Sequence, residues 1–162
     1  MQKFILIVAL LALLVPASIA RAEINVNKPL EMKFTAVDGR KVDLAQLRGK
    51  VVLIDFWATW CPGCLQEMPD VLATYKKYHS QGFEVVGISL DQSKASLTEF
   101  TKANGIQWPQ FFDGQGWDNQ ISSQFGVSEI PAMLLIGKDG KIARPDNSGD
   151  LASQVKKLLD AP

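Results

Sequence analysis

The chain is short of the residues that build disulfide frameworks and metal sites: among 162 residues there are two cysteines and one histidine. A structural zinc site takes four ligands of these types, so His79 and two thiols cannot complete one, and no metal or other cofactor is expected. Both cysteines lie in the single motif Cys61-Pro62-Gly63-Cys64, whereas a stapled secreted domain spreads its cysteines to pair distant segments. A bridge across so small a loop restrains the unfolded chain little. Charge of one sign is lacking too, with 17 Lys plus Arg against 17 Asp plus Glu, and no patch interleaves basic and aromatic residues. Nucleic acid is therefore not an expected partner. Neither an internal repeat nor a Pro/Gly/Ser-rich linker divides the chain. At 47% apolar and 21% charged residues it reads as one globular domain.

The one long hydrophobic run is at the N-terminus. Lys3 precedes an unbroken apolar stretch from Phe4 to Val15, Pro16 breaks it, and Ala20-Arg21-Ala22 offers a small-residue cleavage site. Residues 1–22 are read as a signal peptide and residues 23–162 as the folded domain. The competing reading is an uncleaved anchor, since Phe4 to Ala20 reaches the lower limit for spanning a bilayer. Both imply export, with or without a membrane tether at the N-terminus.

Hydrophobic periodicity and turn residues give the order hairpin, β, α, β, α, β, α, β, β, α. Met32–Val37 and Arg40–Leu44 flank Asp38-Gly39 as a hairpin, followed by a helical turn ending at Gly49. Val51–Trp57 is apolar on both faces and belongs at the centre of a sheet covered on both sides. Cys61 fits the N-cap and Pro62 the first position of a helix to about Ser80, with Leu65, Met68, Leu72 and Tyr75 as its apolar stripe and a kink at Pro69. Phe83–Leu90 is a second buried strand. Ser93 caps a helix ending at Asn104-Gly105, Trp108–Phe112 is a short strand, and Asp118 opens a short helix closing near Gly126. Ala132–Ile136 turns through Lys138-Asp139-Gly140-Lys141 into a closing strand to Arg144, and a last helix runs from about Gly149 to Asp160.

A buried strand that delivers two thiols to the start of a helix is suited to redox chemistry. The thiolate is the reactive form, and the unpaired N–H groups at a helix start favour it, so Cys61 is expected to be the exposed nucleophile. Cys64, one turn in, is the more buried resolving thiol. Attack by Cys61 on a substrate disulfide and displacement by Cys64 complete an exchange cycle. The second step needs a base, and Asp55, a carboxylate in an otherwise apolar strand, is the candidate, with its pKa expected to be raised by burial. A surface-end aspartate or one paired with lysine is the alternative. Glu67 follows Cys64 on roughly the same helix face and is equally readable as a solvated charge. Pro131 is either an ordinary strand-start proline or a cis residue. Trp60 reads as rim packing or as a contact for a partner.

The C-x-x-C at a strand–helix junction, the run Phe56-Trp57-Ala58-Thr59-Trp60-Cys61, Pro69, Ile130-Pro131 and Lys138-Asp139-Gly140-Lys141 together resemble the thioredoxin superfamily over about residues 30–160. The N-terminal hairpin, Glu67 and the extra αβ segment between Leu90 and Ile130 are similar to its TlpA/ResA branch. The resemblance implies an α/β thioredoxin-like fold, a central mixed sheet flanked by helices with an N-terminal β-hairpin and a central αβ insertion. It implies Cys61 as attacking and Cys64 as resolving thiol, with Asp55 and Glu67 beside them and Pro131 as the cis-proline. Trp60, Pro62, Ile130 and Pro131 then form the surface that substrate meets. The activity implied is thiol:disulfide exchange with protein substrates, as a reductant recharged by an upstream, membrane-bound dithiol donor, in a branch whose members are typically periplasmic or membrane-tethered and several of which serve cytochrome c maturation. The chain departs from the usual motif in having Pro62-Gly63, where proline ordinarily stands immediately before the second cysteine, and Ala132 where threonine is usual.

Two other readings compete. A peroxiredoxin-type peroxidase shares the fold, but that family places threonine three residues and proline seven residues before its reactive cysteine, and this chain has Ala58 and Ile54 there. A non-catalytic thioredoxin-like binding module would keep its function with both thiols replaced by serine.

Overall fold

In a computed structural model the described residues are 25–143 and 150–162. The expected signal peptide or anchor lies outside them. Among the described residues no helix is long and apolar enough to cross a membrane.

The sheet grows from β3 (Val51–Trp57), every residue of which is buried. It pairs in parallel with β4 (Phe83–Ser89), Val51 opposite Phe83 and Trp57 opposite Ser89, and β4 pairs in parallel with the short β5 (Gln110–Phe111). On the other edge of β3 lies β6 (Ala132–Ile136), antiparallel, giving the order β5-β4-β3-β6. A strand with a neighbour on each edge and helices on both faces has no solvated side, which is why its sequence does not alternate.

Right-handed crossovers that step in one direction put their helices on one face. The α1 helix (Pro62–Tyr78) links β3 to β4 and α2 (Lys94–Ala103) leads from β4 to β5. Trp57 packs on Phe100 of α2, ring centroids 5.5 Å apart. The C-terminal α4 (Leu151–Asp160) packs beside α1 in the same layer. The return crossover through α3 (Gln120–Phe125) covers the opposite face, where Phe56 meets Phe125 at 5.6 Å. A separate hairpin, β1 (Lys33–Thr35) and β2 (Lys41–Asp43), turns at Asp38-Gly39 with Gly39 at φ +87°. It is fastened to β5 by the Val37 N–H, which donates to the Gln110 carbonyl at 2.9 Å, and by an edge contact of Phe34 with Phe111.

Several expectations need correction. The buried stripe of α1 is Cys64, Met68, Val71, Thr74 and Tyr78, not Leu65, Leu72 and Tyr75; Leu65 is exposed. The helix starts one residue after Cys61 with Cys64 facing the sheet, so the apolar face is counted from the thiol. The helix continues through Pro69, as expected, but ends at Tyr78, short of Ser80, with a 3₁₀ turn over His79–Gln81 before β4. Asn119, not Asp118, caps α3, its side chain accepting from the Ile121 and Ser122 amides. Asp150 caps α4, accepting from the Ser153 amide at 2.8 Å. The closing strand after Gly140 shrinks to one bridge between Ile136 and Ile142 among the described residues, and Arg144 and Gly149 lie outside them.

Candidate active site

The loop between β3 and α1 carries the thiols to the C-terminal end of the parallel strands, where open α/β sheets place their ligands. Cys61 is the N-cap, extended at φ −93° and ψ 106°, and Pro62 occupies the first helical position without leaving an amide unsatisfied. The two sulfurs are joined as a disulfide, with the Cα atoms 5.3 Å apart. The Cys64 amide donates to Cys61 Sγ at 3.2 Å. In the reduced protein the same N–H, aimed at the sulfur and backed by the helix dipole, favours the thiolate at Cys61.

The expected contrast in exposure is not found. Cys61 is 4% and Cys64 3% exposed, so the attacking sulfur is as covered as the resolving one in the disulfide state. One side of Cys61 Sγ is bonded to Cys64, and the Ile130 carbonyl oxygen lies 3.7 Å away. What distinguishes Cys61 is its capping position, not its access to water.

The Ile130–Pro131 bond is cis. Pro131 closes over the motif so tightly that a β-carbon on Gly63 would stand 3.1 Å from its Cδ. Glycine before the second cysteine, the departure from the usual motif, is thus the residue that leaves room for this proline. Pro62 and Trp60 are exposed, and Ile130 and Pro131 are half-buried around the sulfur.

Asp55 is 2% exposed in the middle of β3. Alternation along the strand puts it on the face of Leu53 and Trp57, the face covered by α1, α2 and α4. Its pKa is raised to about 7, first by loss of solvation and second by the negative charge of Glu67. The reading of Asp55 as a surface or lysine-paired aspartate is therefore set aside. Glu67 is on the solvent side of α1 yet near enough to act on Asp55, so the structure couples two carboxylates that spacing left unrelated.

Three residues that sequence reasoning passed over complete the surroundings. The Thr59 amide and hydroxyl both donate to the buried Asp91 carboxylate, which fixes the turn leading into Trp60 and Cys61. Trp117, in a 3₁₀ turn of the insertion, packs on Trp60. The Ser89-Leu90-Asp91 strand end was the available signal for Asp91, since a carboxylate directly after a buried strand needs donors. Nothing periodic marks Trp117.

A thioredoxin-like fold with a cysteine pair bridged at the start of the helix after its central strand defines the class: this is a thiol-disulfide oxidoreductase. The particular family follows from residues 26–144, which match the profile of the AhpC/TSA family, and the chain belongs to that family. Among named relatives, it is 35% identical to the thiol-disulfide oxidoreductase ResA of Bacillus subtilis over 66% of this chain and 58% of that protein. It is 36% identical to ResA of Bacillus anthracis over 78% of this chain and 69% of that one. The fold is similar to a thiol:disulfide interchange protein of the thioredoxin family from Chlorobium tepidum, with a TM-score of 0.70, 27% identity, and coverage of 82% of this chain and 96% of that chain. It is similar as well to the thioredoxin domain of a thiol-disulfide oxidoreductase from Bacteroides vulgatus, with a TM-score of 0.70, 25% identity, and coverage of 82% and 96%.

Proposed function

We propose that the chain is an exported reductant of protein disulfides, recharged by a membrane-bound dithiol donor and working in the periplasm, soluble after cleavage or tethered by its N-terminus. The observation that carries the reading is the Cys61–Cys64 disulfide at the cap of α1, on a helix packed over the face of β3 in which Asp55 is buried. The Cys61 thiolate attacks one sulfur of the substrate disulfide; that S–S bond breaks, a Cys61–substrate disulfide forms, and the other substrate sulfur leaves as a thiolate. Asp55 takes the proton from Cys64, whose thiolate then attacks Cys61 Sγ. The second substrate sulfur leaves as a thiolate that takes the proton from Asp55, and the Cys61–Cys64 disulfide remains, so two electrons have passed to the substrate. A dithiol donor returns the pair to its reduced form by the same exchange in reverse.

The reducing direction and service to cytochrome c maturation follow the TlpA/ResA likeness. Equilibration against a glutathione or dithiothreitol series tests the direction. A potential near thioredoxin's, about −270 mV, supports a reductant, and one near about −120 mV makes the protein an oxidant. The cycle itself is tested with Cys64→Ser, which is expected to accumulate a mixed disulfide with substrate, while Cys61→Ser accumulates none; trapping through Cys64 instead would overturn the assignment. Export is tested by cell fractionation, where the chain retained in the cytoplasm would refute the location. A peroxide-consumption assay separates the peroxidase reading, which predicts turnover that this one does not.

A further inference from the structure

Among the described residues four large apolar side chains stand in solvent: Val26, Trp60, Leu65 and Trp117. The two tryptophans are neighbours, their ring centroids 6.0 Å apart and their planes tilted by 57°. Each keeps about half its surface in water, 50% for Trp60 and 48% for Trp117. An indole carries some of the largest apolar area of any side chain, so leaving two half-covered forgoes stabilisation that burial would bring.

The pair is held in place by polar anchors on one strand end. Trp60 follows Thr59, which the Asp91 carboxylate grips. Trp117 sits in the turn Gly116–Asp118 directly before Asn119, whose side-chain amide donates to the Ser89 carbonyl at 3.1 Å and to Asp113 Oδ1 at 3.2 Å. Asp113 also accepts from the Gln115 and Gln120 amides, which closes the loop that carries Trp117. Both loops are therefore fastened at Ser89–Asp91, and the two rings are presented as a fixed surface.

That surface is joined to the reacting residue through the chain, since Trp60 directly precedes Cys61. Cys61 is nearly covered, so a disulfide that reaches it must bring its flanking chain against whatever surrounds it. Those surroundings include the Ile130 carbonyl, 3.7 Å from the sulfur, Pro131 over the motif, and the exposed Trp60, next to Cys61 in the chain and packed on Trp117. We propose that Trp117 is a specificity-determining residue: with Trp60 it forms an aromatic seat for an apolar side chain flanking the target cysteine of a polypeptide disulfide. This rests on the exchange reaction proposed above and narrows its substrate to cysteines with apolar or aromatic neighbours. The exchange chemistry is unaltered; the seat acts by holding the flanking residue while sulfur transfer takes place.

The test compares kcat/KM for two disulfide-bonded peptides of equal length and charge, one with Phe and one with Ser beside the reacting cysteine. The wild type is expected to prefer the Phe peptide by about tenfold, the size of one good aromatic contact. In Trp117→Ala the preference is expected to fall to near unity, and Trp117→Phe to keep most of it. The ratio is blind to loss of folded protein or a changed potential, because both scale the two peptides alike. Equal rates in the wild type, or an undiminished preference in Trp117→Ala, overturn the seat and leave the exchange reaction standing. Exchange with neither peptide overturns both.

Discussion

Thr59 is tied to Asp91 twice, its hydroxyl donating to Oδ1 at 2.6 Å and its amide to the same carboxylate at 3.1 and 3.2 Å. Ser89 adds a third donor, its hydroxyl reaching Oδ2 at 2.8 Å. A buried carboxylate is tolerable only when donors surround it, and here they come from the loop that ends in Cys61 and from the end of β4. Asp91→Ala strands the Thr59 amide and the Ser89 hydroxyl in the interior and is expected to cost about 2–4 kcal/mol. Thr59→Val removes one donor and is expected to cost about 1 kcal/mol. Denaturant melts of both variants check the order; equal losses would mean that the Thr59 amide and Ser89 hydroxyl bonds together contribute nothing.

Burial of Asp55 has a consequence for pH. Its folded pKa, about 7, lies above the ordinary aspartate value of 3.8, so the folded state holds a proton that the unfolded chain has released between those limits. The contribution of Asp55 to stability is full below about pH 4, falls as pH rises toward about 7, and is level above. The total is a few kcal/mol, on the order of 1.4 kcal/mol per pH interval of one. Asp55→Asn is expected to abolish this slope and to be more stable than the wild type at pH 8. In the same variant, release of substrate from the mixed disulfide is expected to slow by about 10²-fold, the usual worth of a positioned base. A variant whose pH slope matches the wild type's would refute the assignment of the titration to Asp55.

Glu67 acts on Asp55 through charge alone. Glu67→Gln is expected to move the Asp55 titration to lower pH, while leaving it above an ordinary aspartate because burial is the larger cause. Observing the Asp55 carboxyl carbon by NMR across pH measures this directly. An unmoved midpoint would dissociate the two carboxylates.

Cys61 caps α1 through its sulfur, which accepts from the Cys64 amide. Serine is among the preferred N-cap residues, so Cys61→Ser is expected to be at least as stable as the reduced wild type while losing all exchange activity. Thermal melts under reducing conditions check it. A large destabilisation would show that the thiol holds more than the helix start.

Gly87 in β4 stands against the Gln110 side chain, with a β-carbon falling inside the space of Gln110 Oε1. That oxygen accepts from the Trp57 indole N–H at 3.0 Å within the core. Gly87→Ala is expected to displace Gln110, break this bond and cost roughly 1–3 kcal/mol, as overpacking does. Denaturant unfolding measures the loss, and a neutral result would mean that Gln110 has another place to go.

Much of this protein is legible in its residues taken in order. The wholly apolar Val51–Trp57, the Cys61-Pro62 helix start, Asp38-Gly39 at a turn and Ser93 at a cap are local statements, each decided by side-chain chemistry within a few positions. So was the expectation of a raised Asp55, because a carboxylate inside such a strand has no local donor to keep it charged. Folding alone decided which residues meet across the chain. It set Pro131 against Gly63, Asp91 beneath Thr59, Glu67 within reach of Asp55 and Trp117 beside Trp60, and it covered Cys61 where exposure was expected. These pairings depend on strand order and crossover hand, which bring distant segments to one end of the sheet, and no spacing along the sequence encodes that distance.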